Sequence, residues 1–182
     1  MSSKALYLYE IAPSAARRDQ IEQIIKEFDS STAAAGGELI ETQVTKGGER
    51  IFAITEFDGC AAPLLDADAL DALDAAELDG PHLVRIVGAD IEEIKAARPD
   101  AGYLVEWDIP AEIDMETYLT RKKEKSPLYA NIPEVSFLRT YVREDTAKCL
   151  CFYNAPDEDA VRRAREVVST PVSRLHQLDT ER

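Results

Sequence analysis

The sequence lacks the basic clusters and phosphate-binding loops of proteins that bind nucleic acids or nucleotides. Its 182 residues include 35 acidic and 21 basic side chains, which gives a formal net charge of −14. Because phosphate binding requires clustered Lys and Arg, this excess of acid argues against a nucleic-acid partner and disfavours an anionic membrane surface. The sequence also contains no glycine-rich phosphate loop, nucleophile-elbow motif or dinucleotide fingerprint.

Cysteines and long apolar runs are scarce as well. The three cysteines, Cys60, Cys149 and Cys151, form an odd and low number that fits a reducing compartment better than a disulfide scaffold. No apolar run approaches the ~20 residues that a membrane-spanning helix needs. Met1–Ala5 leads directly into a strand-like run without a signal peptide. We therefore expect a cytoplasmic protein without a membrane partner.

The second half of the chain repeats the first. Ile40–Val44 matches Leu138–Val142, 98 positions later, and the same offset pairs Ile51–Ile54 with Cys149–Phe152. A repeat of roughly 90 residues is too long for a solenoid unit and indicates two fused copies of one small domain. The predicted domains are repeat 1 over residues 4–88, a linker over residues 89–101 and repeat 2 over residues 102–179.

Each repeat is predicted to fold as strand, helix, two strands, helix and strand. Apolar residues at helical spacing predict a helix over Arg17–Ala35, which Gly36-Gly37 ends. The other elements predicted for repeat 1 are strands Ala5–Ile11, Leu39–Thr45, Ile51–Phe57 and Leu83–Val87 and a helix over Asp66–Leu78, stopped by Gly80-Pro81. Those predicted for repeat 2 are strands Tyr103–Trp107, Val135–Arg143, Cys149–Asn154 and Ser173–Leu178 and helices Asp114–Lys125 and Glu158–Val168.

This βαββαβ order is that of the ferredoxin-like motif, which places both helices on one face of a four-stranded antiparallel sheet. The other face is apolar and needs a partner. The predicted fold class is therefore α+β, with two tandem ferredoxin-like repeats packed sheet to sheet as an α+β barrel. The chain would then be an internal pseudo-dimer, and exposed sheet edges would also allow a homo-oligomer.

Alternation of side chains along a strand predicts which residues enter the barrel. The residues predicted to pack under the helices include Tyr7, Tyr9, Ile11, Phe52, Ile54, Tyr103, Val105, Trp107, Leu138, Val142, Leu150 and Phe152. The residues predicted to face the barrel include Leu8, Glu10, Leu104, Glu106, Phe137, Arg139, Tyr141, Cys149, Cys151 and Tyr153. Most reactive side chains belong to repeat 2, which is predicted to hold the main site while repeat 1 closes it.

Glu10 and Glu106 are carboxylates in the middle of apolar strands. A buried carboxylate is costly unless it is paired. Glu106 could form a structural ion pair with Arg139 or Arg174, or it could be a general acid or base whose pKa is raised by burial. Arg139 with Tyr141 could bind an anionic or phenolic ligand, since Arg presents a planar fork to carboxylates. Alternatively, Arg139 only neutralises a glutamate.

Cys149 and Cys151 place two thiols on one face of a strand, ~6.6 Å apart along it. They could offer thiolates to a soft metal, or they could fill apolar space as small side chains. No second cysteine pair or nearby histidine completes a tetrahedral zinc set. His176, on the last strand, could serve as a base or a metal ligand, or could be an ordinary surface residue.

Four segments carry a resemblance to a known family: Tyr103–Glu106, Tyr141-Val142, Cys151–Glu158 and Arg174-Leu175. In these segments, residues 102–179 resemble a family of small, single-repeat ferredoxin-like proteins described as nickel-binding. The resemblance implies a site for nickel or another divalent transition metal. The ligands it implies are Cys149, Cys151, Glu106 and His176. Arg139 and Arg163 stand where that family often carries histidines, which implies a similar pocket with different contents.

The leading functional prediction is a small-molecule-binding barrel protein that needs no cofactor. Barrels of this architecture resemble cofactor-independent monooxygenases, cyclases and isomerases, which is an analogy of fold. In this hypothesis Glu106 is the general acid or base, and Arg139 and Tyr141 orient or polarise the ligand. The other residues predicted to bind the ligand are Glu10, Leu104, Cys149, Cys151, Tyr153 and His176. The alternatives are a nickel or other transition-metal-binding protein without catalysis, and an interaction module only.

Overall fold

The structure is a computed structural model that describes residues 4–58, 73–97 and 101–180. The chain divides into two compact units, unit 1 over Met1–Val84 and unit 2 over Arg85–Arg182. Among the described residues, no helix is long and apolar enough to cross a membrane.

The described residues of unit 1 form an antiparallel sheet with a long helix packed against it. Its elements are strand β1 (Lys4–Pro13), helix α1 (Arg18–Ala34) and strands β2 (Glu38–Val44), β3 (Ile51–Asp58) and β4 (Ala75–Val87). Strands β3 and β4 both pair with β1, and β2 pairs with β3, so the order is β2-β3-β1-β4. Helix α1 buries Ile21, Ile24 and Phe28, and the Phe28 ring meets the Tyr9 ring edge-on at 5.0 Å.

The helix predicted over Asp66–Leu78 is wrong in its described part, because β4 begins at Ala75. Residues 66–72 of that prediction lie outside the described residues. Gly80-Pro81 does not stop an element but lies inside β4, opposite a register shift between Leu8 and Glu10 of β1. Gly80 has a φ of +130°, and a Cβ there would lie 2.7 Å from the Leu8 carbonyl oxygen. Glycine therefore allows a bulge that keeps one strand continuous where the sequence indicated a break.

After one leading helix, unit 2 follows the predicted order of strand, helix, two strands, helix and strand. Its elements are helix α2 (Ile91–Ala97), strand β5 (Tyr103–Asp108), helix α3 (Met115–Lys125), a 3₁₀ helix (Ser126–Asn131), strands β6 (Ser136–Arg143) and β7 (Lys148–Asn154), helix α4 (Glu158–Val167) and strand β8 (Arg174–Gln177). All pairs are antiparallel and the order is β6-β7-β5-β8, which repeats the order found in unit 1. The predicted α+β class is confirmed, while the face-to-face packing of two sheets stays a prediction.

The two ends of the segment from Gly102 to Leu178, which contains the four strands of unit 2, are tied together. The Gly102 amide donates to the Tyr153 carbonyl at 3.1 Å and to Oδ1 of Asn154 at 2.9 Å. The Gly102 carbonyl accepts the amide of Leu178 at 2.8 Å. The residue before β5 and the residue after β8 are thus direct hydrogen-bonding partners.

The faces of β7 are the reverse of those predicted. Cys149, Cys151 and Tyr153 lie in the core between the sheet and the helices of unit 2. Phe152, predicted to lie under the helices, instead packs edge-on against Tyr141 on the opposite face, with ring centroids 5.8 Å apart. The prediction was wrong because all five residues from Cys149 to Tyr153 are buried, so hydrophobicity did not distinguish the two faces.

Strand β3 of unit 1 repeats this error for the same reason. Ile51 and Ala53 belong to the core beneath α1, whereas Phe52 and Ile54 were predicted there. Every residue of β3 except its last is buried. The residues predicted in β1, namely Tyr7, Tyr9 and Ile11, do lie in that core.

A register shift between Phe137 and Arg139 corrects the prediction for β6. Phe137 pairs with Tyr153, and Arg139 pairs with Phe152, so the alternation is broken between them. Phe137 therefore packs against the helix-side core, contrary to the prediction that it faces away from the helices. Arg139 and Tyr141 do face away from the helices, as predicted, because they follow the shift.

Helices α3 and α4 both begin after an aspartate that caps the free backbone amides. The Asp114 carboxylate accepts a hydrogen bond from the Thr117 amide, and the Asp157 carboxylate accepts one from the Ala160 amide, both at 2.8 Å. These caps fix where each helix starts, and α4 then presents Ala160, Val161 and Ala164 to the core.

We predict that Asp157→Ala lowers the free energy of unfolding of unit 2 by about 1 kcal/mol, because the Ala160 amide loses its acceptor. Urea unfolding followed by the fluorescence of Trp107, the one tryptophan of the sequence, measures this. Asp159→Ala removes the same charge from the first turn without removing the cap, so its loss should be smaller. Equal losses would show that charge, not capping, stabilises α4.

Candidate functional site

A cleft in unit 2 lies between the helix side of the sheet and the helical segments above it. It holds about 390 Å³ of space not filled by protein atoms, part of it open to solvent. Its lining comes from β5, α3, the 3₁₀ helix, β7, α4 and the turn after α4. The lining residues are Trp107, Tyr118, Arg121, Lys122, Lys125, Ser126, Tyr129, Cys149, Cys151, Arg165, Val168 and Thr170.

The charge of the cleft is opposite to that of the chain. Arg121, Lys122, Lys125 and Arg165 contribute four cationic groups, and no Asp or Glu is among the described lining residues. The chain as a whole carries a formal net charge of −14. Cationic groups gathered in a concave site attract anions more strongly than the same groups spread over a surface. The cleft is therefore a local anion attractor in an acidic protein.

Arg165 is the most deeply buried of these cations, with 2% of its surface exposed. Its Nη1 donates to the Tyr153 hydroxyl at 3.1 Å, and its Nη2 donates to the Pro171 carbonyl at 2.8 Å. None of the hydrogen-bond acceptors described for this guanidinium is a carboxylate, and its Nε has no hydrogen-bond partner among the described residues. A buried cation without a carboxylate counter-ion is costly, so its neutralisation has to come from another group.

The two thiols stand side by side on the sheet beneath the cleft. The Cys149 and Cys151 sulfurs are 3.9 Å apart, and each residue is 1% exposed. Around Cys151 Sγ lie Thr140 Oγ1 at 3.3 Å, Arg165 Nη1 at 3.5 Å and Lys122 Nζ at 3.7 Å. All three are donor groups, and two of them are cationic. This environment suits a thiolate better than a neutral thiol.

The two thiols differ in acidity for this reason. A hydrogen bond from Cys149, assisted by the charges of Lys122 and Arg165, holds the pKa of Cys151 well below its usual range, although burial opposes the shift. The same hydrogen bond, together with burial, raises the pKa of Cys149 well above its usual range. Cys151 is thus the thiol that ionises first, while Cys149 keeps its proton.

Aromatic rings form the apolar part of the cleft. The Trp107 and Tyr118 rings pack at 6.2 Å between centroids, and the Arg121 guanidinium lies 5.7 Å from the Trp107 ring centroid. The Tyr129 hydroxyl lies 2.6 Å from the Tyr153 hydroxyl, which continues the network from Arg165. A ligand in this space would meet ring surfaces and cationic groups together.

Glu106 lies on the other face of the sheet, away from the thiols. Its Oε1 accepts from Lys148 Nζ at 2.7 Å, and its Oε2 accepts from Arg174 Nε at 2.9 Å. His176 Nε2 lies 2.7 Å from the same Oε2. Burial would raise the pKa of Glu106, but the hydrogen bonds from His176, Lys148 and Arg174 outweigh it and hold the pKa well below its usual value. The ion pair with Arg174 therefore forms, and the pKa shift is opposite to the one that a general acid requires.

The remaining predicted site residues occupy separate places. Glu10 belongs to unit 1, where Arg50 Nη1 donates to its carboxylate at 3.3 Å. In unit 2, Leu104 is buried and pairs with Phe152 in register. The Arg139 guanidinium lies 4.8 Å from the Phe152 ring centroid, and Tyr141 packs against the same ring. The structure thus brings Glu106 together with His176, and Cys149 together with Cys151 and Tyr153, as two separate groups.

Sequence reasoning missed the helical residues of the cleft. Arg121, Lys122 and Lys125 come from a basic run that stands out in an acidic chain, and this contrast was the available signal. Arg165 follows Val161 and Ala164 on the buried stripe of α4, and a charged residue on such a stripe was a second signal.

Comparison with known proteins confirms the resemblance of the second half of the chain. Residues 103–178 match the family described as nickel-responsive SCO4226-like proteins. The match covers less than half of the chain and lies entirely within unit 2. No curated protein sequence matches.

Solved structures show likeness in fold alone. SCO4226 of Streptomyces coelicolor A3(2) is 13% identical with a TM-score of 0.39, covering 45% of this chain and 100% of that chain. The candidate chlorite dismutase TA0507 is 13% identical with a TM-score of 0.50, covering 96% of this chain and 95% of that one. A candidate monooxygenase from Lactobacillus acidophilus NCFM is 13% identical with a TM-score of 0.48, covering 97% and 93%.

The residues that the family resemblance implied as nickel ligands do not fit that role together. Among the described residues, no three His, Cys, Asp or Glu side chains are placed to hold one metal ion. Cys149 and Cys151 lie on the opposite face of the sheet from Glu106 and His176. Lys122 and Arg165 also place positive charge beside the Cys151 sulfur, which disfavours a second cation there.

We predict that Glu106→Gln lowers the free energy of unfolding at neutral pH by about 2 kcal/mol, since it removes the acceptor of several charge-assisted hydrogen bonds. Because the folded pKa is depressed, the stabilisation by Glu106 is complete above the ordinary Glu pKa of about 4.3 and is lost as the pH falls below it. Urea unfolding of wild type and Glu106→Gln across this pH range should show that the difference between their free energies of unfolding becomes smaller at low pH.

Glu134→Gln is the control for this prediction. Glu134 pairs with Arg163 at 3.3 Å, and both side chains are about half exposed, so a much smaller loss is expected. A stability difference between wild type and Glu106→Gln that stays constant with pH would contradict the depressed pKa.

Proposed function

We propose that the protein binds a small organic anion in the cleft of unit 2. The observation that carries this proposal is Arg165, a cation with 2% of its surface exposed that lines the cleft and has no carboxylate among its described hydrogen-bond acceptors. Four cationic groups line the cleft, so an anion entering it would supply counter-charge that the Cys151 thiol cannot supply alone. A planar guanidinium favours carboxylate or phosphate groups over other anions because it donates two parallel hydrogen bonds.

The other cations support the same ligand class. Arg121, Lys122 and Lys125 are half-buried side chains of α3 that line the cleft, so their charges act through a partly desolvated space. The rings of Trp107, Tyr118 and Tyr129 offer apolar surface next to them. A carboxylate attached to an aromatic or aliphatic body fits both features, as in other pockets where apolar walls carry a few placed polar groups.

Binding fits the geometry better than the catalysis first predicted from the sequence. That hypothesis required Glu106 to exchange a proton, with Arg139 and Tyr141 orienting the ligand. Cationic partners hold Glu106 in its ionised form, and all three residues lie on the face of the sheet away from the cleft. A cofactor-independent reaction of the monooxygenase, cyclase or isomerase type would therefore have to use groups of the cleft itself.

We predict that benzoate binds and that its neutral counterpart benzamide binds at least about tenfold more weakly, a difference of ~1.4 kcal/mol. Trp107 lines the cleft and is the one tryptophan of the sequence, so its fluorescence reports occupancy. Benzoate affinity should also fall as salt is added, since the attraction is between charges. Equal affinities for benzoate and benzamide would contradict an anion site.

A pair of matched lysine variants tests the location. Lys125 lines the cleft, whereas Lys123, two residues earlier on α3, is exposed and does not. Lys125→Gln should weaken benzoate binding about threefold, corresponding to a partly exposed ion pair of ~0.5–1 kcal/mol, while Lys123→Gln should leave it unchanged. An equal loss in both variants would show only a general effect of net charge.

A further inference from the structure

We propose that Cys149 and Cys151 form a redox-active dithiol that reduces a small hydroperoxide and closes to an intramolecular disulfide. This activity goes beyond anion binding. It uses the same cleft as its entrance but does not require that an organic anion be the natural ligand. The fold places both reacting sulfurs, their activating groups and a path from solvent in one small region of unit 2.

The first support is the distance between the sulfurs. Residues two apart on a strand point to the same side, and the two Sγ atoms lie 3.9 Å from each other. This is contact distance for two sulfur atoms, so a bond between them requires a short approach rather than a rearrangement of the fold. Both residues also line the cleft, which gives a reagent of the size of a peroxide a route to the thiols.

The second support is the unequal surroundings of the two thiols. Cys151 has Thr140, Arg165 and Lys122 within 3.7 Å of its sulfur, all as donors. A residue that merely filled apolar space would not need two cations and a hydroxyl around it. The charges of Arg165 and an ionised Cys151 also neutralise each other, because a thiolate is the one anion described near this buried guanidinium. Cys151 is therefore the attacking sulfur and Cys149 the resolving one.

The reaction balances in two steps. The Cys151 thiolate attacks the terminal hydroxyl oxygen of the hydroperoxide, an S–O bond forms and the O–O bond breaks. The other oxygen leaves with a proton drawn from solvent, as an alcohol or, from hydrogen peroxide, as water. Cys151 has then become a sulfenic acid, oxidised by two electrons, while the peroxide has been reduced. The Cys149 thiol next attacks the Cys151 sulfur, the S–S bond forms, and hydroxide leaves with the Cys149 proton as water.

The disulfide formed in this way should be easy to reduce. Two residues along a strand span ~6.6 Å between Cα atoms, which is near the upper limit of ~6.8 Å for disulfides. Strained disulfides are the labile ones, so a small thiol should restore the dithiol. The pair is thus suited to repeated oxidation and reduction rather than to holding the fold together.

The test uses full-length protein carrying Cys60→Ser, which leaves the two cysteines in question. The reduced protein is treated with hydrogen peroxide, blocked with iodoacetamide and digested with trypsin. Cleavage after Lys148 and Arg162 yields one peptide, residues 149–162, that contains both cysteines. We expect this peptide to be lighter by two hydrogen atoms and to carry no alkyl group, and dithiothreitol should restore two alkylation sites.

Single variants assign the roles. Cys149→Ser should accumulate a sulfenic acid that dimedone traps at Cys151, while Cys151→Ser should give no trapped product on the same timescale. Lys122→Met should slow the oxidation about tenfold, the effect of losing one charge-assisted hydrogen bond to the attacking thiolate, and exposed Lys123→Met should not slow it.

Three results would overturn the dithiol. They are two alkylated thiols after peroxide treatment, equal trapping in the two single-cysteine variants, or equal oxidation rates in Lys122→Met and Lys123→Met. The oxidation by hydrogen peroxide is followed without benzoate, and the benzoate titration contains no peroxide. The dithiol and the anion site can therefore fail independently of each other.

Discussion

The sheet of unit 2 depends on the hydrogen bonds that the Glu106 carboxylate accepts from cationic side chains of the neighbouring strands. Glu106 stands in the middle of β5, and its two oxygens reach Lys148 on β7 and Arg174 and His176 on β8. One buried anion thus fixes both neighbours of β5 in register. With that register, β7 turns Cys149 and Cys151 toward the helices, where α3 and α4 bring their cations. The cleft on one face is held in place by an ion cluster on the other.

The separation of charge between the two faces explains how an acidic chain carries a cationic cleft. Acidic side chains outnumber basic ones by a wide margin, yet the buried Glu106 is matched by Lys148 and Arg174 on the same face of the sheet. The cations of α3 and Arg165 face the other way and meet thiols, phenols and carbonyl oxygens. The net charge of the chain is therefore a poor guide to the charge of the cleft.

The order of elements in unit 2 and the α+β class could be predicted from the sequence, because helical spacing and hairpin turns are local signals. The faces of β7 could not, since a strand buried on both sides carries no alternation to read. The register shift at Phe137 and the bulge at Gly80 likewise depend on the partner strand. Among site residues, the pairing of the two thiols followed from strand geometry, but Arg165 required knowing which helix covers them.

The hydrogen bonds of Gly102 with Tyr153, Asn154 and Leu178 bring the two ends of the segment from Gly102 to Leu178 into contact. A segment whose ends meet is a closed cassette, which can be copied, inserted into another chain or reopened at a different loop without a segment crossing the sheet. The structure therefore suits residues 102–178 to being moved between proteins as one module. Its reactive residues all lie inside that cassette, so a copying event would carry the whole site with it.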